Sequence, residues 1–131
     1  MRLGAVVLGL GLLAPLAVAC RLEPDPQGYG THQQLGLPPC SAVVLFGRPC
    51  PTCGMTTAWS AVVRGRWIDA VQANAGGTVL CWLDLVAVPW LWLSAARGRW
   101  LGWGPRAAAA VWLSLGVALI TLLQWIARLL A

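Results

Sequence analysis

The residues best able to do chemistry lie in the run Arg48-Pro49-Cys50-Pro51-Thr52-Cys53-Gly54, a CPxCG motif in a chain of 131 residues. Two thiols separated by two residues can form a disulfide, exchange with another disulfide or share a metal ion, and a hydrophobic helix requires neither. For thiol exchange, Cys50 would stand at a helix N-cap with its sulfur facing the free N–H groups of the first turn, where partial positive charge favours thiolate. Arg48 would act in the same direction. Cys50 then attacks and Cys53, one turn into the helix, resolves.

A metal reading needs more ligands, because a structural zinc site takes four and this chain has one knuckle. CPxCG resembles the knuckle of zinc ribbons and rubredoxins, whose glycine lets backbone N–H groups approach the thiolates. His32 and Cys40 are the available complements to Cys50 and Cys53. Soft thiolates suit zinc or cuprous copper. The third reading is a structural disulfide. A Cys50–Cys53 bridge closes so small a loop that it restricts the unfolded chain little, whereas a bridge from Cys40 to either thiol closes a longer one.

Other catalytic chemistry has little to stand on. The one histidine, Glu23 and three aspartates supply no paired carboxylates around a nucleophile, and no phosphate-binding glycine loop is present. Nine arginines give a net charge of +5 with no lysine, yet they are scattered over loops and chain ends and form no basic face, so nucleic acid is not an expected partner.

The elements that position the motif belong to a membrane protein. The chain is 59% hydrophobic and 10% charged, against about 25% charge in soluble domains. A helix needs roughly 20 apolar residues to cross the hydrocarbon core. Residues 3–19, 76–96 and 107–127 meet that requirement, the second interrupted by Asp84. Tryptophans 67, 90, 92, 100 and 103 near the span ends fit an interfacial aromatic belt. The expected fold is therefore all-α and integral to the membrane, with about three transmembrane helices plus a short amphipathic helix after the CPxCG motif.

Three regions follow: an anchor or signal-like segment at residues 1–20, a cysteine-bearing loop with amphipathic helices at 21–75, and a two-span hairpin at 76–131. The first segment also reads as a lipoprotein signal, with Ala17-Val18-Ala19 before Cys20, which cleavage would leave open to lipidation. Arg97, Arg99 and Arg106 mark the loop between the later spans as cytoplasmic, which puts the N-terminus inside the cell and residues 20–75 outside it. Arg48, Arg64 and Arg66 on the outer segment run against that rule.

Within the outer segment, the prolines and glycines of residues 21–39 predict a loop. Residues 40–46 are apolar and too short to span. Pro51 suits a first helical position, and Met55, Ala58, Trp59 and Val62 recur on one face of a helix that Gly65 ends. A second helix from Trp67 either continues through Asn74-Ala75-Gly76-Gly77 into the second span or breaks there, with Asn74 as cap or kink residue. Asp84, with Cys81 one turn before it on the same face, predicts either a polar contact to a neighbouring helix or a proton or ion path.

The order Cys40, then Gly47-Arg48-Pro49-Cys50-Pro51-Thr52-Cys53-Gly54-Met55-Thr56, then Gly65, Ala70 and Asn74 before an apolar span resembles a family of small bacterial membrane proteins, domain of unknown function 2752. The likeness runs from about residue 35 to 93. The chain departs from the family pattern at Thr57, where arginine is common, and at Ala75, where proline is common. The resemblance implies an architecture and a motif and no established activity. The expected function is a multi-pass protein of the bacterial cytoplasmic membrane with an exofacial cysteine site, disulfide or metal. It would act by association with the bilayer, a second copy or another membrane protein. The alternative is a membrane thiol-disulfide oxidoreductase using Cys50 and Cys53.

Overall fold

A computed structural model describes residues 2–102 and 106–130. Among them there is no strand; the chain folds into six α-helices and one 3-10 turn at Thr31–Leu35. Three helices are long and apolar enough to cross a membrane: α1 (Arg2–Arg21), α5 (Ala75–Arg97) and α6 (Ala107–Leu130). Each overlaps an expected span and extends it by one to three residues at its ends. Pro15 and Pro89 sit inside α1 and α5, as prolines do in membrane helices whose freed carbonyls find other partners. Trp103 lies outside the described residues.

Three short helices, α2 (Ser41–Phe46), α3 (Met55–Val62) and α4 (Trp67–Ala73), carry the segment between α1 and α5. The amphipathic face expected on α3 is real: Ala58 and Val62 are buried, with Met55 and Trp59 half-buried. The helix starts later than expected, because Pro51 falls in a turn and Gly54 is the cap. It ends where Gly65 adopts a left-handed conformation, φ 73°, and donates its N–H to the Val62 carbonyl.

The second helix breaks at Asn74 instead of running on. Asn74 is extended, φ −167°, and its Oδ1 accepts from the Gly77 N–H at 2.7 Å, which makes it the N-cap of α5. The Thr78 hydroxyl returns to the Asn74 carbonyl at 2.9 Å. Helices α4 and α5 are thus separate elements joined by one buried asparagine.

The short helices share a core with the long ones. Leu16 of α1, Ala58, Ala61 and Val62 of α3, Ala70 and Ala73 of α4 and Cys81 of α5 pack together, and the predominance of small residues lets the backbones approach closely. A second core of Ala5, Leu91 and Ala95 joins the other ends of α1 and α5, beside the stacked rings of Trp90 and Trp100. There the Arg2 guanidinium lies against Gly98. Helix α6 meets α5 where Gly76 leaves room for the Thr121 hydroxyl. Arg2, Arg97 and the start of α6 therefore lie at one end of the bundle; the short helices and the C-terminal turn of α6 lie at the other.

Arg64 shows why the arginines of the short-helix segment need not act as topology signals. Its guanidinium donates to the Ala19 and Ser60 carbonyls at 3.1 and 2.9 Å and to the Cys20 carbonyl at 3.2 Å, closing the open carbonyls of α1's last turn. It also meets Glu23 at 3.4 Å. Arg66 pairs with Asp69 at 2.7 Å.

Asp84 is 5% exposed, and neither carboxylate oxygen has a hydrogen-bond partner among the described residues. The expected contact to a neighbouring helix is not made among the described residues. Asp84 lines a small cavity together with Leu12, Trp59, Leu80, Leu83 and Ala87.

Candidate metal or thiol centre

Three thiols meet at the end of the bundle that carries the short helices. The Sγ atoms of Cys40, Cys50 and Cys53 all lie within 4.8 Å of one another. Cys40 is the N-cap of α2, held after Pro38-Pro39 with φ −58° and ψ 127°. Cys50 and Cys53 bracket a tight turn in which the Cys53 N–H donates to the Cys50 carbonyl at 3.1 Å and the Met55 N–H to the Thr52 carbonyl at 3.2 Å. The two turn sulfurs are 2.8 Å apart, and the Cys50 sulfur is 3.3 Å from the Thr52 hydroxyl. None of the five cysteines is bridged in this structure.

The turn is gripped from three directions. Asn74 Nδ2 donates to the Pro51 and Cys53 carbonyls at 3.1 and 3.2 Å while its Oδ1 caps α5, so one side chain joins the thiol turn to the start of a span. Trp125 Nε1 of α6 donates to the Pro49 carbonyl at 2.8 Å. Gly54, at φ 89°, passes so close to the Ala73 and Gly28 carbonyls that a Cβ would overlap both. This glycine is required twice over, for its left-handed backbone and for its missing side chain.

The electrostatics differ from the expected assignment. Gly54 caps α3, so Cys50 is not the helix cap and Cys53 does not lie one turn into a helix. The thiol driven toward thiolate is Cys40, whose pKa falls to about 6. The main cause is a hydrogen bond from Cys53. Nearby N–H groups of Val43 and Ala42 at the start of α2 add to it without a regular cap hydrogen bond. Cys53 moves the other way, to about 12, because burial penalises its charged form and both neighbouring sulfurs compete for the proton. The cluster therefore favours negative charge on Cys40 and the proton on Cys53.

Of the four residues expected to hold a metal, the structure brings together Cys40, Cys50 and Cys53. His32 stands outside that group. It lines the same cavity, about 270 Å³, and its Nε2 donates to the Pro38 carbonyl at 3.2 Å. Thr57 lines the cavity too, and its buried hydroxyl lies 2.8 Å from that of buried Thr31.

Residues 40–88 match the family described as Protein of unknown function (DUF2752). The match covers 49 of the 131 residues. Neither the curated proteins nor the solved structures contain a match to the chain. The DUF2752 segment starts at Cys40 and ends within α5, so it holds all three thiols and Asn74 and leaves α1 and α6 outside.

Sequence reasoning did not connect α6 to the thiol turn. Gln124 Oε1 accepts from the Ala75 N–H at 2.6 Å, and its Nε2 donates to the Val71 carbonyl at 2.7 Å. Arg128 donates to the carbonyls of Gln72 and Ala73, the latter at 2.8 Å. The signal was present: Thr121, Gln124, Trp125 and Arg128 recur at helical spacing, forming one polar-edged stripe on an otherwise apolar helix. Proline at position 75 would offer Gln124 no N–H.

Proposed function

We propose that the three cysteines form a binding centre for one soft transition-metal ion, zinc or cuprous copper, in a multi-pass membrane protein that works by association with other membrane components. The observation that carries this reading is the convergence of three sulfurs from two separate chain segments. A disulfide uses two thiols and gives no reason for a third. A thiolate set of this kind favours soft ions over magnesium or calcium. Zinc–sulfur bonds of about 2.3 Å imply sulfurs about 3.8 Å apart in a tetrahedral site, so small side-chain rotations within the cluster suffice for binding. The cavity on the His32 side leaves space for a fourth ligand.

The supporting experiment is metal analysis of the purified protein in detergent. About one zinc or copper per chain is expected, with loss in each of Cys40→Ser, Cys50→Ser and Cys53→Ser. Metal-free protein that also fails to take up either ion when reduced would overturn the reading.

The second reading is thiol-disulfide exchange, favoured by the acidic Cys40 thiol and by the Cys50 sulfur within 4.8 Å of it. The Cys40 thiolate would attack one sulfur of a substrate disulfide and expel the other, which takes a proton. Cys50 would then attack the Cys40 sulfur and release the second substrate thiol. The substrate disulfide gains two electrons and two protons, the chain is left with a Cys40–Cys50 disulfide, and an external dithiol reductant restores it. Cysteine-specific mass shifts that interconvert with a redox buffer, in protein without metal, would support this route.

For orientation, we place the end with Arg2, Arg97 and Arg99 in the cytoplasm and the thiol centre on the exofacial side of a bacterial cytoplasmic membrane. Support comes from the shared end of Arg2 and Gly98 and from the internal partners of Arg48, Arg64 and Arg66.

A further inference from the structure

We infer that α2 is an interfacial membrane anchor, lodging Val44, Leu45 and Phe46 in the headgroup–acyl boundary of a phospholipid bilayer and so setting the height of Cys40. Three observations meet here. First, α2 packs against no other helix and has no buried residue. Second, its apolar side chains are among the most exposed in the molecule: Val44 at 65%, Leu45 at 72% and Phe46 at 75%. Three successive large apolar residues bare to water would be costly, and nothing among the described residues covers them.

Third, both ends of α2 are fixed at the level where the spans end. At its N-terminus Cys40 joins the thiols of the turn that Asn74, the cap of α5, holds. Just past its C-terminus, Arg48 donates to the Leu129 carbonyl in the last turn of α6 at 3.4 Å, and Pro49 is bonded by Trp125. A short helix tethered at both sides to span ends lies at the depth where acyl chains give way to headgroups. Apolar side chains enter that boundary while the neighbouring arginine and indole stay at the polar level. Phospholipid is thus the occupant that the position selects.

The inference does not depend on the metal reading. The full-length protein is reconstituted in nanodiscs of phosphatidylcholine and phosphatidylglycerol with p-benzoylphenylalanine introduced at Phe46 and, separately, at exposed Gln27 in the polar loop. On irradiation, the position-46 protein is expected to gain the mass of a phospholipid, with and without chelator, and the position-27 protein to show no such adduct. An adduct from position 46 to a second copy of the chain, or a lipid yield no higher than that from position 27, would overturn it.

Discussion

Trp125 and Pro49 stand 76 residues apart in the chain and share a hydrogen bond of 2.8 Å, indole N–H to carbonyl oxygen. This bond joins the last span to the residue before Cys50. It makes the thiol turn a joint product of helices that lie inside and outside the DUF2752 segment.

The Trp125→Phe variant keeps an aromatic ring and removes the N–H. A hydrogen bond of this kind contributes about 1 kcal/mol net, which corresponds to roughly a fivefold change in an equilibrium constant. Metal affinity of the triad, measured by competition with a chromophoric chelator, is expected to fall by about that factor.

Asn74 has two separable roles. Asn74→Asp keeps the acceptor for the Gly77 N–H and removes the donor to Pro51 and Cys53, so α5 should stay intact while the turn loosens. Asn74→Ala removes both and is expected to cost about 2–4 kcal/mol, combining a lost cap with unsatisfied buried carbonyls. Thermal unfolding in detergent should rank the variants wild type, Asp, Ala.

The shifted thiols give the centre a pH dependence of known sign. Cys40 has a folded pKa of about 6, below its ordinary value of 9, so its stabilisation is complete above pH 9 and lost as pH falls through 6. Cys53, raised to about 12, contributes in the opposite sense, losing its stabilisation as pH rises from 9 through 12. In metal-free, reduced protein, alkylation of Cys40 by iodoacetamide should titrate with a midpoint near pH 6. In Cys53→Ala the midpoint should rise toward 9, because the largest cause of the shift is gone.

Two left-handed glycines should respond differently to the same change. At Gly65 a Cβ meets nothing within 4 Å, so Gly65→Ala should cost only the conformational term of about 1–2 kcal/mol. At Gly54 the side chain would also press on the Ala73 and Gly28 carbonyls, and Gly54→Ala should exceed that by on the order of 2 kcal/mol and abolish metal retention. Parallel denaturation curves and metal analysis test the contrast.

Asp84 has no partner among the described residues, and a carboxylate near the middle of a span costs about 2.5–3.5 kcal/mol on insertion scales. Asp84→Asn is therefore expected to leave the isolated chain as stable or more stable. A drop in stability together with a loss of oligomer on native mass spectrometry would mean that another chain supplies a partner.

Hydropathy made the three spans legible, because roughly 20 apolar residues have few alternatives to a membrane helix, and α5 and α6 each start within a residue of expectation. Local rules also found the face of α3, its Gly65 stop and the importance of Asn74. The start of α3 was not legible. Pro51 is an acceptable first helical residue, but Asn74 holds the Pro51 and Cys53 carbonyls in a turn, and that competition is between residues more than 20 apart.

The sequence by itself determined a three-span helical protein with a CPTCG motif, since composition and short-range spacing are properties of the chain alone. Only the tertiary structure decided which thiol carries the charge. Acidity at Cys40 depends on a sulfur 13 residues away and on the start of α2, and position in the motif encodes neither. Likewise, the polar-edged stripe of α6 is readable in the sequence but its docking place is not, because Trp125, Gln124 and Arg128 gain their roles only when α5 and α6 pack at Gly76 and Thr121.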